Sequence, residues 1–234
     1  MTEEEWLIER GRPQTMYWTL VRQGKVQRTK AGKRKLRLFG CGCCRHLWHL
    51  LDDEVLRPAL EAAERFAEGE ADKDELRRWA NAVAPLTVGS YDADAPGAGA
   101  STAAAMVEHA CGPSAQESAF YPTAFQPTLL GHRIAGRDGD EVLCHLFRDV
   151  FGNPFRPSAV KREWLAWNDR TLPAMARAIY DERAWERLPI LADALEDAGC
   201  AEEAILAHCR GPGPHTRGCW VVDLLHPAFL KTHP

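Results

Sequence analysis

Apolar side chains recur along this chain at steps of three and four residues, and no stretch sustains an alternation at steps of two. Leu36, Phe39, Cys43, Leu47 and Leu50 are the clearest case, all falling on one face of a 3.6-residue helix. Only residues 219–225, with the β-branched Val221 and Val222, come near a strand, and with no partner strand in sight they read as helix. The pattern predicts an all-α fold, an irregular multi-helix bundle joined by Gly/Pro-rich loops. A chain of 234 residues is long enough to bury a core without disulfides or an obligatory metal. The expected organisation is a single helical domain over 1–234, with a C-terminal helical subdomain at 170–226.

Terminal signals divide the pattern into helices. Thr2 and Glu5 have the spacing of a capping box, and Asp72 with Glu75 repeats that kind of start. Asp52-Asp53 can cap a helix carrying Val55, Leu56, Ala59, Leu60, Ala63 and Phe66, provided Pro58 falls in its first turn. Pro13 and Pro189 suit first turns, and Gly199 suits the position after a helix end. The first long helix is expected over 33–51. Gly40 and Gly42 interrupt it at about 1 kcal/mol each relative to Ala, and their small size would let another backbone approach. A further helix over 138–151 is stopped by Gly152-Asn153-Pro154. Residues 85–101, 114–137 and 211–218 are rich in Gly and Pro and are expected to be irregular.

The charge is divided unevenly. The net charge is −4, but residues 1–50 carry 11 Lys and Arg against 4 Asp and Glu, and the remainder 18 against 29. Lys25, Arg28, Lys30, Lys33, Arg34, Lys35 and Arg37 form a run with no acid between them, able to neutralise phosphates of a nucleic acid. No aromatic residue interleaves with them for base stacking, and the same run reads equally well as a solvated linker or a partner for the acidic body. The acidic start Met1-Thr2-Glu3-Glu4-Glu5 is unlike a secretory or transit peptide, and no apolar run approaches the roughly 20 residues of a membrane span, so a cytoplasmic, membrane-free protein is expected.

Eight cysteines in a chain without an export signal are expected to be reduced thiols, either small buried hydrophobes or metal ligands. The strongest candidate set is Cys200, His208, Cys209, His215 and Cys219. It offers enough Cys and His groups for a tetrahedral zinc site, with a usable His215-x3-Cys219 spacing and a Gly/Pro loop that can turn the chain back. It lacks the more specific C-x2-C pair, and the alternative is that its thiols are core residues. Cys41, Cys43 and Cys44 with His46 and His49 diverge around a helix axis, which argues against a shared ion; an exposed Cys41 would instead be a reactive thiol. Glu141 and His145 are four apart and can share a proton or a metal, or form an ordinary surface pair. The 211–218 loop, with Arg210, His215 and Arg217, can cradle an anion or simply pin Trp220 under a helix.

Three segments carry a family resemblance. They are LRLFGCGCCR with WHLL at 36–51, LFRDVFGNPFRP at 146–157, and a third from AIYDER at 178 through LPILADALEDAGC to HCRGPGPH and GCWVVDLL ending at 225. In these the chain resembles a paralogous family of uncharacterised planctomycete proteins, departing from it in having Gly40 and Gly42 where Ala is usual and in a tail over 226–234. The resemblance implies a helical cytoplasmic protein and supplies no activity and no catalytic residues. H-E-x-x-H, G-x-S-x-G, Walker A and G-x-G-x-x-G patterns are all missing from the sequence. The expected function is therefore a non-enzymatic protein-interaction or regulatory module whose partner is another protein. A metal- or thiol-dependent enzyme built on the C-terminal Cys/His set, and a nucleic-acid-binding accessory protein using residues 25–37, are the alternatives.

Overall fold

The computed structural model describes residues 1–51, 54–88, 98–125 and 138–228. Among them the chain forms twelve α-helices, joined by turns and short 3-10 segments, and no strand. The fold is all-α. The caps read from the sequence form: Thr2 and Glu5 make both bonds of a capping box, and Asp72 accepts from the N–H groups of Asp74 and Glu75. Pro58 lies in the first turn of its helix, where its missing N–H costs nothing. The proposed Asp52-Asp53 cap lies outside the described residues.

The chain divides into two compact units, Met1–Phe147 and Arg148–Pro234, so the second unit starts earlier than the expected residue 170. The first contains α1 (Glu3–Ile8), α2 (Pro13–Arg22), α3 (Lys30–His46), α4 (Leu56–Glu68), α5 (Lys73–Val83), α6 (Ala98–Cys111), α7 (Ala115–Phe125) and most of α8 (Gly139–Phe151). α3 is its centre. Every residue from Leu36 to Cys44 is buried, which marks a helix packed on all sides and not the one-faced helix its spacing suggests. Glycine and cysteine make this possible: a Cβ on Gly40 would collide with the Ser118 backbone, so α3 and α7 meet backbone to backbone there. Phe39 stacks on Phe147 with ring centroids 4.0 Å apart.

α7 departs from the irregular course expected over 114–137. Its Pro122 lies inside the helix, and propensity alone argues against one there. Tertiary packing wins: Phe120 closes on Tyr17 and Trp18, and Tyr121 stacks on His109 at 4.1 Å. α6 likewise begins at Ala98, inside the expected 85–101 loop. The helix expected over 33–51 ends at His46 and passes into a 3-10 turn, Trp48–Leu50.

The second unit holds the last turn of α8 and then α9 (Arg162–Glu182), α10 (Leu188–Asp197), α11 (Glu203–Arg210) and α12 (Trp220–Leu225). Its core gathers Trp164, Ile179, Leu191, Leu195, Ile205 and Val222. α9 is broken: Asn168, Asp169 and Arg170 have φ of 43°, 55° and 65°, a left-handed turn between two helical halves. No described helix is long and apolar enough to cross a membrane.

Two substitutions probe these features with opposite signs. Gly40→Ala forces α3 from α7 and should destabilise by about 1–3 kcal/mol. Arg170→Gly relieves a left-handed backbone at an exposed position and should leave stability unchanged or raise it by up to about 1 kcal/mol. Urea unfolding of the two variants beside the parent reads both.

Candidate metal centre

Asp149 lies in the last turn of α8, where unpaired carbonyls and the negative end of the helix dipole make a poor place for an anion. It is also only 2% exposed. Three groups converge on it. His215 Nδ1 lies 2.7 Å from Oδ1, the Thr216 backbone N–H donates to Oδ2 at 2.9 Å, and His208 Nε2 lies 3.2 Å from Oδ1. Burial pushes this carboxyl up, but hydrogen bonds from His208 and His215, together with their charge, outweigh it and hold the group at about 2. The same contact works on His215: burial lowers it, and the Asp149 carboxylate raises it by more. The Gly211 backbone also favours a proton on that ring, although Nε2 falls short of a formed hydrogen bond.

The 211–218 loop brings these groups together. His208 is in the last turn of α11, and Arg210 anchors the end of that helix by pairing with Asp193 and Glu196 on α10. The loop then turns through Gly213, at φ 73°, and a cis Gly213–Pro214 peptide, returning His215 to an edge-on contact with His208 at 5.1 Å between centroids. Gly218, at φ 89°, leads into Cys219, the residue that precedes α12. Cys219 is fully buried, with Sγ 3.2 Å from His208 Nε2. Trp220 covers one side, its ring 5.2 Å from His208. Gly152, at φ 62°, leaves room for it: a Cβ there would come within 3.1 Å of the Trp220 ring. His215 turns inward to Asp149 and Arg210 is held by α10, which removes both from any anion cradle in the loop.

One ligand atom from each of Asp149, His208, His215 and Cys219 lies within 4.8 Å of the other three. A tetrahedron with metal–donor bonds of about 2.0–2.3 Å has its donors roughly 3.3–3.7 Å apart, a separation that falls between the observed short contacts and the outer limit of this group. Carboxylate, imidazole and thiolate are all donors that zinc accepts. The residues present fit such an ion.

Three of the five residues expected from sequence, His208, His215 and Cys219, belong to this group. Cys200 and Cys209 do not; both are buried in the unit's apolar core, and burial pushes the Cys209 thiol up to about 12. Asp149 was missed. Its signal was there: with Val142 and Leu146 it continues the apolar stripe of α8 at steps of four and three, and an acid at a core position needs a partner.

The other candidates disperse. Cys41, Cys43 and Cys44 are all buried, and burial raises each thiol, so Cys41 is no exposed nucleophile. Glu141 and His145 form a helix-surface pair at 3.6 Å, with Arg10 also 3.6 Å from Glu141. In the basic run, Arg34 makes two hydrogen bonds to Glu68 at 3.0 and 3.1 Å. Arg37 is buried, bonds to the Ala110 carbonyl and lies 4.9 Å over the Phe66 ring, out of reach of any phosphate.

No protein-family model, curated protein or solved structure matches this chain, so the geometry alone speaks for the site.

Cysteine, histidine and aspartate together raise a catalytic triad as a rival arrangement. A triad uses the two nitrogens of one imidazole for two tasks, one toward the nucleophile and the other toward the carboxylate. Here Asp149 and Cys219 both meet the same nitrogen, His208 Nε2. That convergence suits four lone pairs aimed at one point and not a proton relay. Burial, with Asp149 adding to it, also holds the Cys219 thiol well above its ordinary range.

All eight cysteines are buried and unpaired by disulfides. A thiol reagent such as Ellman's should therefore find no fast-reacting group in the native protein and eight in guanidinium, where all are exposed. A rapid native thiol would contradict this packing.

Proposed function

We propose that this protein is a non-enzymatic helical module that acts through contacts with another protein, and that its C-terminal unit is braced by one structural zinc ion held by Asp149, His208, His215 and Cys219. The observation that carries the reading is the convergence of four donors, three of them almost enclosed and the fourth, the His208 side chain, 15% exposed. Four protein ligands close a tetrahedral site, whereas a catalytic zinc keeps one position for water or substrate. Charge supports the same ion. A divalent cation bound by one carboxylate, one thiolate and two neutral imidazoles leaves the buried centre neutral, and the ion itself drives the thiol to thiolate. A proton on His208 Nε2 can satisfy Asp149 or Cys219 well, but not both; a metal satisfies all four donors at once. Two of the three segments that carry the family resemblance, 146–157 and the one ending at 225, contain all four of these residues. For the interaction role, Leu7 and Ile8 on α1 stand 52% and 69% exposed, apolar side chains of the kind a protein partner covers.

Protein purified without a metal-affinity tag should contain about one zinc per chain by elemental analysis. His215→Ala and Cys219→Ser should each lose it, whereas Cys200→Ser and Cys209→Ser should keep it. A strong chelator should lower the melting temperature of the parent and leave the ligand variants unaffected, because metal binding is linked to folding. Metal-free protein that takes up no zinc on titration would overturn the assignment.

A further inference from the structure

We propose that the strip running from Trp18 and Arg22 on α2 through Lys25 and Arg28 to Lys30 and Lys33 at the start of α3 binds single-stranded nucleic acid. The strip lies wholly in the first unit and is independent of the zinc reading. Several arginines elsewhere have a carboxylate: Arg12 with Glu9, Arg34 with Glu68, Arg45 with Glu64, Arg177 with Asp181, Arg210 with Glu196. Lys25, Arg28, Lys30 and Lys33 are all exposed, and among the described residues none of the four has a carboxylate within 4.0 Å. In a chain of net charge −4 this is a conspicuous place to leave cations unpaired. It also weakens the host helix, since the first turn of α3 has no acid, and its lysines sit at the positive end of the dipole.

The mount is stiff. The 3-10 turn Val26–Arg28 packs directly on the start of α3, where a Cβ on Gly32 would collide with the Val26 carbonyl, and Thr29 caps the helix by accepting from Gly32 N–H at 2.9 Å. What the linear basic run lacks, an aromatic face, the fold supplies from α2. Trp18 is 39% exposed, backed by Tyr17 at 5.1 Å and Phe120 at 5.7 Å, and Arg22, one turn on, lies 4.8 Å over its ring. An exposed indole with one cation at its ring and four more unpaired cations within the next fifteen residues of the chain supplies both things a single strand needs, a stacking face for bases and neutralisation of the backbone without reading sequence. An acidic protein partner would compete for the same cations, so polyglutamate serves as the competitor that separates the two.

The test is fluorescence anisotropy of a labelled oligouridylate about 12 nucleotides long with the full chain, at several salt concentrations. Five cations predict that log K falls against log salt with a slope of about −3.5. The combined Lys25→Gln, Arg28→Gln, Lys30→Gln, Lys33→Gln variant should lose nearly all binding. Trp18→Ala should weaken it about tenfold with the slope unchanged, and Trp18→Phe, which keeps a stacking face, should recover most of the loss. Far-UV circular dichroism should be the same for the four-residue variant, whose changes are all at exposed positions, and for Trp18→Phe, which keeps a ring against Phe120. No binding at 50 mM salt, equal or tighter binding of a duplex of the same length, equal competition by polyglutamate, or indifference to the four-residue change would each overturn the proposal.

Discussion

A carboxylate removed from water must be neutralised by whatever encloses it, and in the C-terminal unit that requirement falls on Asp149. It is almost fully buried at the unfavourable end of a helix. Left alone it would take up a proton; the donors of His208, His215 and the Thr216 backbone keep it ionised instead. Removing one partner from a buried charge pair typically costs about 3–5 kcal/mol, so this carboxylate fixes the path of the loop that carries its partners. The turn at Gly213, the inward aim of His215, the depth of Cys219 and the seat of Trp220 over Gly152 are consequences of bringing donors to one point.

The two units solve their packing differently. In the first, α3 is buried all round from Leu36 to Cys44, and small residues let neighbours approach closely, with buried Arg37 satisfied by the Ala110 carbonyl and the Phe66 ring. Cysteine serves there as a small hydrophobe. The second unit has fewer residues from which to build a core, and it joins its apolar cluster to a polar centre with four metal-type donors. A small unit gains proportionally more from one such clamp than a large one.

The helices were legible because their apolar positions keep a strict period and their ends carry capping residues: Thr2, Asp72, Pro189 and Gly199 all act as their types suggest. α7 was not, because Pro122 and the flanking Gly112-Pro113 read as loop, and the aromatic contacts that override them come from α2 and α6, distant in sequence. The left-handed turn at 168–170 had no glycine to announce it. At the candidate centre, residue type pointed to His208, His215 and Cys219. It could not separate Cys219 from Cys200 and Cys209, since a thiol reads the same whether it faces a donor or a leucine. Asp149 was hidden because an acid in a helix is ordinarily a surface residue, and only its place on the apolar stripe of α8 marks it as something else.

The central claim is that Asp149, His208, His215 and Cys219 close around one ion in four-fold coordination. X-ray absorption at the zinc edge of the loaded protein tests it most directly, because sulfur and light-atom scatterers are counted separately. The account predicts one sulfur at about 2.3 Å and three nitrogen or oxygen atoms at about 2.0–2.1 Å. A shell of six light atoms with no sulfur would place the ion elsewhere on the surface. A shell with two sulfurs would bring Cys209 or Cys200 into coordination and contradict the donor set derived from the fold.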